Sequence, residues 1–479
     1  MIRRLILFGA TGDLAGRFLL PALAALHDAG KLPEGFNIVG AAREDWDDET
    51  FQCHATQRLE EHAADVPAAA REALVRSLRY RPVDFNDPDS VARVLHVDVP
   101  GDVSGEDAAA LAAYLALPAG VFLPAVLALG AVGLPPGSRI VLEKPFGEDL
   151  NSAVVLNALL ARVSGVAGER AVFRVDHALA LSTVQNLLAV RLANRVLEPV
   201  WNSVHVEQVD ILWEESLTLE GRASYYDKTG ALKDVIQNHL LQILCLIAME
   251  PPFSLEERDL RDRKLDVLRA VRPLTPADVA RTRRARYTAG RIGDRNIPSY
   301  VDEDGIDPDR GTETFAEVVL EIDNWRWSGT RFLLRTGKAL ARRRKEAVVR
   351  FRPVPHLPFG EDASAPAANE LRIGLDGPWD FTLCLTGSAP GLPLHLAPLT
   401  LNAQLPAPDL PPYSRVLMDV LNGDTTLSIR GDEAEQSWRI LTAVLQAWAD
   451  GRVPLQTYPA GSAGPPPIDA TASHSADRK

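Results

Sequence analysis

Two of the ten histidines stand beside residues that could put them to chemical use. Asp176-His177 closes the short apolar run from Ala171 to Val175, and His239 ends Lys233-Asp234-Val235-Ile236-Gln237-Asn238-His239 at the front of a strongly apolar helical pattern. A histidine with a carboxylate partner can take the proton of a hydroxyl near neutral pH while hydride leaves the same carbon, which is what oxidation of an alcohol by a nicotinamide requires. Judged alone, His239 reads more readily as a core histidine bonded to a backbone carbonyl. Glu215, Lys338 in Leu334-Arg335-Thr336-Gly337-Lys338, and Arg343 are the acceptor and cations that a polyol pocket needs, although each alone reads as a surface charge. The run Arg342-Arg343-Arg344-Lys345, taken by itself, reads as a solvated stretch.

A second group of residues suits a dinucleotide. Gly9-Ala10-Thr11-Gly12-Asp13-Leu14-Ala15-Gly16 follows an apolar strand and opens a helix, the setting in which glycines let backbone approach a pyrophosphate. A tight turn without ligand would also use glycines. Arg43 and Glu44 end the second strand, where the ribose is read: arginine suits the 2′-phosphate of NADP, and the acid leaves NAD open. Glu143-Lys144-Pro145-Phe146-Gly147 follows another strand, and the proline keeps Lys144 extended at a strand end.

These residues need elements to hold them. Arg4–Phe8, Phe36–Gly40, Ala113–Leu117 and Ser138–Leu142 read as strands separated by helices such as Leu14–Ala29, which implies a parallel sheet covered on both faces. Beyond about residue 175 come long helical patterns, Ser182–Asn194 and Gly230–Met249, followed by alternating segments: Thr314–Asp323, Asn369–Leu375, Trp379–Leu385 and Leu399–Leu405. The expected architecture is α/β plus α+β: a Rossmann dinucleotide-binding domain over residues 1–175, then a domain over 176–457 with a large, mainly antiparallel sheet and helices on one face. The Pro-, Gly-, Ser- and Ala-rich stretch 458–479 reads as a disordered tail.

A net charge of −13 argues against a nucleic-acid partner. No signal peptide or membrane-length apolar run is apparent, and three scattered cysteines support neither disulfides nor a metal site, so a cytoplasmic protein without metal is expected.

Seven segments occurring in order resemble the glucose-6-phosphate dehydrogenase family: Gly9–Ala15, Tyr114–Pro118, Glu143–Gly147, Val184–Leu188, Glu220–Arg222, Gln237–Gln242 and Leu334–Lys338. The resemblance implies hydride transfer from C1 of a glucopyranose to NADP or NAD, giving a 1,5-lactone, in a homodimer or homotetramer paired through the large sheet. It makes His239 the base and Asp176 its charged support. Lys144 and Lys338 would bind sugar or cofactor oxygens, Glu215 and Asp234 sugar hydroxyls, Arg43 the ribose phosphate, and Gly9, Thr11, Gly12, Asp13 and Leu14 the cofactor turn.

One segment departs from the pattern. Where the family has Asp-His-Tyr-Leu-Gly-Lys gripping a 6-phosphate, this chain has Asp176-His177-Ala178-Leu179-Ala180-Leu181. Losing two charge-assisted hydrogen bonds would cost roughly 3–6 kcal/mol. Either His177 and basic groups such as Arg343 hold the phosphate differently, or C6 carries hydroxyl, sulfonate or another group. A noncatalytic nucleotide- or sugar-binding regulator is a further alternative, against which stands the survival of Asp176, His239, Lys144 and Lys338.

Overall fold

The computed structural model describes residues 1–97, 110–358, 367–377, 379–389, 395–405 and 408–466. The chain forms two compact units. The first contains Met1–Gln185 together with Glu250–Leu265 and Pro408–Arg439; the second contains Asn186–Met249, Asp266–Ala407 and Ile440–Lys479.

Six strands make the sheet of the first unit: β1 (Arg4–Phe8), β2 (Asn37–Ala42), β3 (Leu78–Pro82), β4 (Leu111–Leu115), β5 (Arg139–Glu143) and β6 (Val172–Val175). Their order is β3-β2-β1-β4-β5-β6 and every pairing is parallel, the doubly wound arrangement expected of a dinucleotide-binding domain. Strands covered on both faces must be apolar throughout, and Leu5, Leu7, Ile38, Ala112, Tyr114 and Val141 join one core with Leu20, Leu23 and Leu26 of the following helix. The late helix Pro412–Asn422 adds Val416, Leu417 and Val420 to that core.

Two segments expected in the second domain thus return to the first unit, and so does Asp176–Gln185. Their anchors are polar as well as apolar. Arg174, 1% exposed, donates through Nη2 to Asn157 Oδ1 (2.8 Å), while its backbone bonds Ser428 Oγ (3.0 Å) and the Ile429 amide (3.0 Å). Lys264 Nζ lies 2.8 Å from Glu433 Oε2, with both side chains buried, joining the two returning segments.

The second unit holds β7 (Val206–Glu214), β8 (Arg283–Thr288), the hairpin β9 (Gly290–Ile292) and β10 (Arg295–Ile297), then β11 (Phe315–Glu321), β12 (Arg331–Gly337), β13 (Arg344–Phe351), β14 (Glu370–Gly374), β15 (Trp379–Ala389), β16 (His395–Leu405) and β17 (Leu455–Pro459). All but the hairpin form one sheet ordered β16-β15-β14-β13-β7-β12-β11-β8-β17. It is mainly antiparallel, with parallel pairings at β7–β12 and β8–β17. The helical stretch Ala223–Ala248 is apolar enough by length and composition to cross a membrane, contrary to the reading of the sequence, but 89% of its apolar 18-residue window is buried in the protein's interior. Leu150–Ala171 passes the same test of length and composition, but Gly165 and Gly168 interrupt it with positive φ.

The stretch expected to be a tail from Tyr458 is ordered as far as residue 466. Tyr458 is 1% exposed in β17 and its hydroxyl donates to Lys338 O at 2.7 Å; beyond it, Pro465 O accepts from Arg283 Nη2 at 2.6 Å. Low complexity does not prevent order where backbone carbonyls meet buried donors. Residues 467–479 lie outside the described residues.

Removing one partner of a buried ion pair strands the other. Lys264→Met is expected to cost about 3–5 kcal/mol in chemical denaturation, and Lys264→Met/Glu433→Leu to recover most of it. Equal losses in both variants would show that the pair contributes through packing alone.

Candidate active site

In the first unit β1 runs into a turn at Gly9, whose φ is +79°. A Cβ there would stand 2.3 Å from Ala116 O, so only glycine fits. The Gly12 amide bonds Gly9 O at 3.0 Å, and the helix entered through Asp13 and Leu14 begins as a π turn at Ala15–Leu19 before continuing as Leu20–Asp28. Asp13 makes a surface ion pair with Arg17 (3.6 Å). Thr11 Oγ1 donates to Glu44 Oε2 at 3.0 Å, tying the turn to the end of β2. Glu44 is therefore engaged by the protein itself, while Arg43 beside it is exposed. The narrow glycine turn, the helix entrance and an exposed arginine at the ribose end fit a phosphorylated dinucleotide.

Lys144 follows β5, in a turn anchored by Phe146: Trp438 Nε1 donates to Phe146 O at 3.0 Å. Beneath Lys144 lies Glu143, 6% exposed, whose Oε1 accepts from the Tyr114 hydroxyl at 2.5 Å. Burial pushes the Glu143 carboxyl up to about 7, aided by Asp176 and opposed by Tyr114, Lys144 and Tyr413. Tyr413 also stacks on His177, with ring centroids 5.8 Å apart and planes at 21°. Asp176 is buried and its Oδ1 accepts from the Ala178 amide at 2.9 Å, so the turn that follows fixes the carboxylate. Ala178 is fully buried and Leu181 half-buried.

In the second unit His239 is 3% exposed and lies in the π-helical segment Leu232–Leu240, which runs into the α-helix Leu241–Ala248. Asp234 and His239 both lie on this widened, i to i+5 bonded segment. The Tyr225 hydroxyl bonds Asp234 Oδ1 at 3.3 Å. The His239 amide bonds Asn238 Oδ1 (2.7 Å), and its ring stacks on Trp213 of β7 at 5.6 Å and 29°.

Parallel pairing of β7 with β12 sets Glu214 opposite Gly337, so Glu215 and Lys338 leave their strands side by side. Lys338 Nζ lies 2.8 Å from Glu215 Oε2 and 5.3 Å above the Tyr226 ring. Ala339, fully buried at φ +51°, turns the chain just after Lys338 and is held by hydrogen bonds to Leu217 O (2.8 Å) and from Gly461 N (2.8 Å). A left-handed alanine is uncommon and marks a turn that its surroundings impose. Lys345 of β13 takes the other Glu215 oxygen at 3.0 Å. Burial raises the Glu215 carboxyl, but the charges of Lys338 and Lys345 outweigh it and hold it down at about 2. Glu215 is thus a pure acceptor at any working pH.

The basic run is not a freely solvated stretch. Arg344 bonds Glu214 (2.9 Å), Lys345 bonds Glu215 and Asp376, and Arg343 bonds Asp376. A polar cleft of about 800 Å³ opens beside them.

Of the residues singled out from sequence, Gly9, Thr11, Gly12, Asp13, Leu14, Arg43, Lys144, Asp176 and His177 belong to the first unit; Glu215, Asp234, His239, Lys338 and Arg343 belong to the second. Glu215 and Lys338 touch, and Arg343 joins them through Asp376 and Lys345. Sequence reasoning missed Glu143, Tyr413, Trp213, Lys345 and Asp376. The first precedes a recognised lysine and Lys345 ends a recognised basic run, while the other three carry no local signal.

Glu143 gives a pH signature. Its folded carboxyl, near 7 against an ordinary 4.5, keeps a proton that the unfolded chain loses, so it opposes folding increasingly from about pH 4.5 to 7 and not below. Glu143→Gln is expected to lose less stability than the unaltered chain between pH 5 and 8, by on the order of a few kcal/mol. Parallel pH profiles in denaturation would show that Glu143 ionises normally.

A family model described as the glucose-6-phosphate dehydrogenase NAD binding domain matches residues 6–186, and one described as that family's C-terminal domain matches residues 188–478. The glucose-6-phosphate 1-dehydrogenase of Mycolicibacterium smegmatis is 41% identical over 475 residues, spanning 97% of this chain and 94% of its own. The crystal structure of glucose-6-phosphate 1-dehydrogenase from Mycobacterium avium aligns with a TM-score of 0.84 at 32% identity, over 97% of this chain and 95% of its own. A glucose-6-phosphate dehydrogenase solved in complex with its substrate glucose-6-phosphate aligns with a TM-score of 0.83 at 29% identity, over 98% and 96% of the two chains. With a nucleotide turn in one unit, a lysine-clamped carboxylate near a buried histidine in the other, and both family models matched in order, this chain belongs to the glucose-6-phosphate dehydrogenase family.

Proposed function

We propose that the protein oxidises C1 of glucose 6-phosphate to the 1,5-lactone with NADP as preferred acceptor and NAD as a possible one. The observation that carries this reading is the cluster in the second unit. A buried histidine, a carboxylate held ionised by lysines and an aromatic face between them are gathered on a chain that matches its family end to end.

NADP, when bound, supplies the hydride acceptor; the Gly9–Leu14 turn and Arg43 would hold it. The protein's own residues handle the proton and the sugar. His239 takes the C1 hydroxyl proton, as the family resemblance implies. Glu215 and Asp234 accept from sugar hydroxyls, while Lys338 and Lys144 donate to sugar or cofactor oxygens. For the phosphate, His177 and Arg343 are the groups that remain in place of a tyrosine and a lysine. Relatives named as glucose-6-phosphate 1-dehydrogenases at 41% and 36% identity favour this substrate over free or 6-sulfonated glucose. Subunit pairing through the large sheet and a cytoplasmic location belong to the same reading.

The test is initial rates of NADPH and NADH formation over matched concentrations of glucose 6-phosphate, glucose and 6-sulfonated glucose. Glucose 6-phosphate is expected to have the highest kcat/KM, and NADPH to form faster than NADH. A higher kcat/KM for either other sugar would mean that Ala178 and Leu181 mark a change of substrate.

A further inference from the structure

Lys345 is a cation that the roles above leave unused, yet it stands at the centre of the polar cluster in the second unit. Its Nζ lies 3.0 Å from Glu215 Oε1, 3.3 Å from Asp376 Oδ2 and 4.2 Å from the centre of the Trp213 ring. The side chain is only 12% exposed. Asp376 in turn bonds Arg343, so charges alternate along Lys338–Glu215–Lys345–Asp376–Arg343. Trp213, under Lys345, carries the His239 ring as its other neighbour.

A carboxylate bonded to one flexible lysine can rotate about its side-chain torsions. Gripped at both oxygens from β13 and from the end of β12, it is fixed in plane and in charge. Antiparallel pairing of β13 with β7 puts Lys345 opposite Trp213, two residues before Glu215 and on the same face of the strand, so the grip follows from sheet register. Three ammonium donors are matched here by two carboxylates and an aromatic face, an occupancy that a surface lysine does not reach.

We propose that Lys345 is a positioning residue of the sugar site: it holds Glu215 turned to accept from a ring hydroxyl, and through Asp376 it sets the place of Arg343. This inference rests on the sugar-phosphate reading above. Selectivity among ring hydroxyls then depends on a lysine that acts through Glu215. A latch between β7 and β13 would also place Lys345 here, but it would affect folding and leave substrate preference alone.

The experiment is a double-mutant cycle of Lys345→Met and Glu215→Gln, with Lys345→Arg and Asp376→Asn alongside. Initial NADP-linked rates are read on glucose 6-phosphate and its 2-, 3- and 4-deoxy analogues, and thermal unfolding is followed in parallel. Lys345→Met is expected to raise KM about tenfold with kcat changed less than threefold, the loss of one charge-assisted contact. The analogue least affected by Glu215→Gln should be least affected by Lys345→Met. In the Glu215→Gln background Lys345→Met should change KM less than twofold. Lys345→Arg should recover most of the loss, and Asp376→Asn should move KM the same way by less. Should Lys345→Met not fold, Lys345→Gln takes its place in the cycle. Additive effects of the two substitutions, or lower thermal stability with unchanged KM and analogue preference, would overturn the proposal. Failure of the unaltered protein to oxidise glucose 6-phosphate would overturn the parent reading and this inference with it, whereas an active protein with additive variants overturns this inference alone.

Discussion

The ionised carboxylate of Glu215 is the constraint around which the second unit is arranged. Burial alone would drive it toward its neutral form, and two ammonium groups reverse that outcome. Supplying both requires three strands in fixed order: β12, β7 and β13, with Lys338 arriving from one side and Lys345 from the other. An all-antiparallel sheet would not bring Lys338 out at the same end as Glu215. The parallel pairing of β7 with β12 does, and the strained turn at Ala339 and the Tyr458 hydroxyl then hold the backbone beyond and at Lys338.

The first unit solves the opposite problem. Glu143 is also buried, but Lys144 and two tyrosines do not outweigh desolvation and the nearby Asp176, so its proton stays to about pH 7. Two buried carboxylates therefore have different chemistry because their neighbours differ in charge. Glu215 can only accept hydrogen bonds; Glu143, near neutrality, can also donate one. That neutral carboxyl adjoins the anchored Lys144 turn without adding a full negative charge beneath it.

Much of this was legible in the sequence where the signal is local. Gly9 announces its turn because only glycine fits against Ala116, and the four apolar residues Leu5 to Phe8 read as a buried parallel strand. Ordered short motifs carried the family resemblance, including His239 and Lys338. Long-range partners were not legible. Tyr413 reaches His177 and Glu143 from a helix more than two hundred residues away in sequence, and nothing in its neighbours announces that. Asp376 and Trp213 are likewise placed by strand register. The basic run read as solvent-facing because its carboxylate partners, Glu214, Glu215 and Asp376, lie on other segments. The return of Glu250–Leu265 and Pro408–Arg439 to the first unit has the same cause: amphipathic helices declare a buried face but not the surface that buries it.

Everything proposed about the reaction turns on whether the buried His239 moves the substrate proton or merely fills a stacked position against Trp213. The direct measurement is His239→Asn, reading kcat by NADPH formation and glucose 6-phosphate affinity by equilibrium titration on the same preparation. The account predicts that kcat falls by about 10²–10⁴ while affinity changes only a few-fold, as loss of a general base requires. Turnover close to that of the unaltered protein would contradict it and leave His239 a core residue.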